Sequence, residues 1–203
     1  MSGAPLLEII FHMTNGHKLK FSENNEAKAQ EVLSSVRPSE FFTEKQFAIS
    51  SKSSATRIVI DSVSCVVFNT SAQIEWSFPS HIEGAFILSK EKFTEAIDSE
   101  LENSEVVMEP GQRARPLSLF LKLLMKDGNI WNLRFFAETL KPVERAELAK
   151  IIHELTGFHA VKPEGGAVLF NMKNVISWTT YPTALLASQK TWELKNNSNE
   201  GNN

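Results

Sequence analysis

Apolar residues recur along this chain with two alternating periods, and the order of those periods repeats. Leu7–Phe21 (LEIIFHMTNGHKLKF) and Leu119–Phe135 (LFLKLLMKDGNIWNLRF) are apolar-rich and centred on Asn-Gly and Asp-Gly, as expected of two strands joined by a tight turn. A two-residue Asn15-Gly16 loop would pair Phe11 with Lys20 and His12 with Leu19, mixing the two faces of the hairpin. A three-residue loop, Thr14-Asn15-Gly16 with Gly16 left-handed, instead pairs Met13 with His17, Phe11 with Leu19 and Ile9 with Phe21. The loop Lys126-Asp127-Gly128 solves the same problem, pairing Met125 with Asn129, Leu123 with Trp131 and Leu121 with Leu133.

The period then lengthens to that of a helix. Ala29, Val32, Leu33 and Val36 form one stripe, begun by a cap at Asn24 or Asn25 and ended by Arg37-Pro38. In the second stretch Leu148, Ile151, Ile152 and Leu155 repeat the stripe, with Pro142 in the first turn and Gly157 as the expected C-terminal cap. A short strand follows each helix, Gln46–Ser50 and Phe158–Val161, then a turn (Glu164-Gly165-Gly166 in the second), then a long strand. The long strands superpose without a gap when Ile58–Phe68 is laid over Val168–Trp178.

Each copy thus reads ββαββ over about 65 residues, a size that is marginal alone and favours two copies packed together. The expected fold is α+β: two ββαββ repeats in a pseudo-twofold arrangement with antiparallel sheets, joined by a strand-plus-helix segment. The divisions are 1–71, the connecting segment 72–116, 117–182, and 183–203 as a C-terminal helix and disordered tail. Within the connector, Ala85–Leu88 reads as a strand and Lys90–Leu101 as a helix capped by Ser89.

Composition narrows the partners. With 42% hydrophobic and 22% charged residues the chain can bury a core, and its formal charge of −3 gives no electrostatic footprint for nucleic acid. No run approaches the roughly 18 apolar residues of a membrane span, and no basic leader precedes the first strand. One cysteine, Cys65 in an apolar run, excludes an intramolecular disulfide and fits a reducing, cytoplasmic setting.

Catalytic patterns are missing. There is no nucleophile elbow, no phosphate cradle and no zinc-like His/Cys spacing, while His12 and His17 point to opposite faces of the first hairpin. Cofactors and metals are therefore not expected, and Cys65 reads as a small buried hydrophobe. The expected function is a non-enzymatic interaction or regulatory module that binds a protein partner or itself. Trp76, Phe78, Trp178, Tyr181 and Trp192 are its candidate contacts, and Arg113 with Arg115 a candidate anion contact. The alternative is an enzyme or small-molecule sensor with a site between the repeats, drawing on His159, Arg134 and Glu138.

Overall fold

The structure is a computed structural model and describes residues 4–50, 54–79, 82–104, 117–137 and 144–181. Its elements are β1 (Leu7–Met13), β2 (Lys18–Glu23), α1 (Glu26–Ser35), β3 (Gln46–Ser50), β4 (Ala55–Val59), β5 (Val63–Thr70) and β6 (Gly84–Leu88). They continue with α2 (Lys90–Ser104), β7 (Leu117–Met125), β8 (Ile130–Ala137), α3 (Glu144–Glu154), β9 (Gly157–Val161), β10 (Ala167–Asn171) and β11 (Val175–Tyr181). Short 3-10 turns occupy Phe41–Thr43, Ile60–Ser62 and Met172–Asn174.

Nine strands form one sheet in the order β11-β7-β8-β6-β9-β10-β5-β1-β2, and β3 with β4 forms a separate two-stranded sheet. Neighbours in the large sheet run antiparallel except β6 and β9. The chain is thus a mixed α+β protein with one large sheet and three α-helices among the described residues. The two halves use their strands differently: β9–β10 lies inside the large sheet, whereas β3–β4 stands apart from it.

Both hairpins adopt the three-residue loop. Ile9 faces Phe21 and Phe11 faces Leu19, while Leu121 faces Leu133 and Leu123 faces Trp131. Gly16 and Gly128 each sit at φ +84°, which a side chain would disfavour. The correspondence runs beyond the turns at a constant spacing of 112 residues. Met13 N donates to His17 O and Thr14 N to Ser62 O, as Met125 N does to Asn129 O and Lys126 N to Asn174 O. Each half also carries a bulge at matching places, between His12/Met13 against β5 and between Val175/Ser177 against β7. Laying Ile58 over Val168 is therefore wrong by two residues. A shift of two keeps every side chain on the same face, so the apolar pattern cannot detect it.

The apolar run Cys65–Phe68 of β5 is explained by its two faces. Cys65 and Val67 enter one core with Val168, Phe170, Phe158, Leu121, Leu133 and Phe135, closed by Leu148, Ala149 and Ile152 of α3. Val66 and Phe68 enter the opposite core with Leu7, Phe11, Leu169, Phe42, Ile58 and Trp76, closed by Ala29 and Leu33 of α1. A strand covered on both faces has no need to alternate.

The helix caps follow the sequence except at one end. Asn25 Oδ1 accepts from Lys28 N at 3.0 Å, and Ser89 Oγ accepts from Lys92 N at 3.3 Å. Gly157, expected as a left-handed cap of α3, instead begins β9 and is not among the positive-φ glycines. Its job is space: a Cβ there would run into the Phe42 ring and lie 2.9 Å from Phe170 O. Pro142 and the C-terminal helix expected at Thr183–Leu194 lie outside the described residues.

Candidate functional site

The sheet curls so that β1 meets the turn between β7 and β8. β7 and β1 are six strand spacings apart in the order, about 29 Å in a flat sheet. Yet His12 Nδ1 on β1 lies 3.5 Å from Asp127 Oδ2, in the turn that joins β7 to β8. Cys65 completes the group, because the β1–β5 register sets it directly opposite His12. The His12 nitrogen, the Cys65 sulfur and an Asp127 oxygen all lie within 4.8 Å of one another.

The turn chemistry puts Asp127 there. Its Oδ1 accepts from Asn129 N at 3.0 Å, the same bond that Asn15 Oδ1 makes with His17 N at 3.1 Å in the first hairpin. Where the first turn has an amide, the second has a carboxylate. Its spare Oδ2 accepts from Asn129 Nδ2 at 2.6 Å, and that amide also lies 3.2 Å from His12 Nδ1.

This cluster is buried. The side chain of Asp127 is 2% exposed and that of His12 10%, while Cys65 is fully buried. Burial, and next the nearby Lys18, hold His12 below its ordinary pKa against the pull of Asp127. Burial first, then Asp127, push the Cys65 thiol far above its usual range. The ion pair of Asp127 is thus with a histidine whose neutral form is favoured by burial.

Two further places collect candidate side chains. On the opposite face of β9, His159 stacks on Phe78 with ring centroids 4.1 Å apart and meets the edge of Trp76 at 5.5 Å. Trp76 Nε1 donates to Leu33 O at 2.8 Å, capping the end of α1 beside a cavity of about 480 Å³ lined by Arg37, Gln73 and Glu75. His159 Nδ1 has no hydrogen-bond partner among the described residues, and burial lowers its pKa to about 4.

The other place is the β11 edge. In Val175–Tyr181 (VISWTTY) no residue is charged, and Ile176 is 60% exposed. Ile130, 56% exposed, lies on the same end of the sheet, since it pairs with Leu124 and Leu124 pairs with Ser177. The opposite edge, β2, carries exposed Lys18 and Lys20.

The structure therefore divides the expected aromatic contacts. Trp76 is buried and Phe78 packs on His159; Trp178 stacks on His153 of α3 at 5.1 Å; Tyr181 meets Phe93 of α2 at 5.9 Å. Arg134 lies over the Phe136 ring at 4.2 Å and donates to Ser118 Oγ at 3.0 Å. It shares a sheet face with His159, with β6 between their strands. Trp192, Arg113, Arg115 and Glu138 lie outside the described residues.

The His12–Cys65–Asp127 group leaves no spacing signature in the sequence, because its members come from three separate segments. The usable signal was the replacement of Asn15 by Asp127 at one turn position. No protein-family model matches this chain, and neither a curated protein nor a solved structure matches it significantly. No helix among the described residues is long and apolar enough to cross a membrane.

Proposed function

We propose that this protein is a non-enzymatic interaction module that joins a second copy of itself through β11. The observation that carries this reading is an edge strand that, among the described residues, carries no charge. A strand edge offers a row of backbone donors and acceptors, and proteins that avoid pairing place charge there. β2 has its lysines, whereas β11 has β-branched residues, Trp178 and an exposed Ile176. Antiparallel pairing of one β11 with another is self-complementary, as a twofold dimer requires.

The two halves are, on this reading, diverged copies related by a pseudo-twofold axis near the 3-10 turns. The matched turns, bulges and hydrogen bonds at 112-residue spacing support this. So does the stitching of those turns: Asn171 Nδ2 donates to Val63 O at 2.9 Å, and Asn174 Nδ2 to Asp61 O at 2.9 Å. A reduced Cys65 is in keeping with the cytoplasm.

Hydrogen exchange tests the edge directly. Amides of residues 175–181 that exchange quickly at low protein concentration become protected as concentration rises. Protection independent of concentration contradicts self-association through this strand.

A further inference from the structure

We propose that His12 Nδ1, Cys65 Sγ and the Asp127 carboxylate form a site for one divalent cation of the zinc class, clasping the two hairpins together. This assignment is independent of the β11 reading. Three strand systems supply the ligands: His12 from β1, Cys65 from β5, and Asp127 from the β7–β8 turn, with all three donor atoms within 4.8 Å. Imidazole nitrogen, thiolate and carboxylate together suit a borderline-soft ion such as Zn²⁺ better than Mg²⁺ or Ca²⁺, which take oxygen.

Charge points the same way. Asp127, its side chain 2% exposed, pairs with His12, and Lys18 is the nearby cation felt by His12 and Cys65. A divalent ion bound to one carboxylate and one thiolate makes the site neutral. Binding releases the Cys65 thiol proton to solvent, so affinity rises with pH. Asn129 Nδ2, 2.6 Å from Asp127 Oδ2, orients the carboxylate as outer-shell partners of metal ligands do.

The comparison between the hairpins supplies the decisive variant. Asn15 makes in the first turn the backbone bond that Asp127 makes in the second, so Asp127→Asn keeps the turn while removing the charge. Reduced protein is titrated with Co²⁺ and read by absorption. The expected result is one Co²⁺ per chain, with a near-ultraviolet thiolate-to-cobalt band that Zn²⁺ abolishes by displacement. Cys65→Ser loses that band. Asp127→Asn retains the wild-type circular dichroism but binds more weakly by over about 100-fold, the upper range for losing only an outer-shell partner. As a second readout, Zn²⁺ raises the Tm of the wild type but not of Asp127→Asn. A wild type without the thiolate band, or variants that bind as the wild type does, overturns the site and leaves a hydrogen-bonded structural cluster.

Discussion

Acidification should unfold this protein partly through one buried imidazole, His159. It is 2% exposed, stacked on Phe78, and its Nδ1 has no partner among the described residues. Burial lowers its pKa from 6.5 to about 4. Between those values the unfolded chain takes a proton that the folded chain refuses. The contribution of His159 is therefore complete above about pH 6.5 and is lost as pH falls through about 4. At about 1.4 kcal/mol per unit, the full shift amounts to about 3.5 kcal/mol, of which about 3 kcal/mol is lost between pH 7 and pH 4. His159→Phe keeps an aromatic ring in the slot and removes the titration. Urea unfolding followed by far-ultraviolet circular dichroism at pH 7 and pH 4 gives a loss for each protein. The wild type should lose about 3 kcal/mol more than His159→Phe, other titrating groups being common to both. Equal losses would refute the assignment of a neutral, desolvated His159.

Other substitutions separate backbone conformation from crowding. Gly16 and Gly166 both have positive φ, but a Cβ on Gly16 meets nothing within 4 Å, whereas one on Gly166 strikes the Phe68 carbonyl. Gly16→Ala should cost about 1–2 kcal/mol and Gly166→Ala about 4 kcal/mol or more in chemical denaturation; similar costs would contradict the packing of the β9–β10 turn on β5. Asn174 is 2% exposed, donates to Asp61 O and Val63 O, and accepts from Lys126 Nζ at 2.9 Å. Asn174→Ala should destabilise by about 2–3 kcal/mol by orphaning those groups, and a cost below about 0.5 kcal/mol would mean the 3-10 turns are not stitched this way.

What the chain reveals by reading and what it hides differ in range. The hairpin registers were legible because loop length and face alternation act within fifteen residues, and Gly16 and Gly128 leave one solution that gathers the apolar side chains. The cap at Asn25 and the strand Gln46–Ser50 are local in the same sense. The separation of β3–β4 from the large sheet is not local, since it depends on Phe42 and Ile58 packing across β1 and β5. The cation site needed both the β1–β5 pairing and the curl of nine strands, neither of which leaves a periodic trace. Gly157 shows the limit at a single residue: a glycine after a helix reads as a cap, and only the Phe42 ring against it shows otherwise.

Sedimentation equilibrium with two added charges tests association through the β11 edge. Ile176 and Thr179 are exposed on β11, so Ile176→Lys with Thr179→Lys gives this edge the guard that Lys18 and Lys20 give β2. The wild type should sediment as a dimer and the doubly substituted protein as a folded monomer. A wild type that remains monomeric at high concentration, or a dimer indifferent to both lysines, contradicts association through β11.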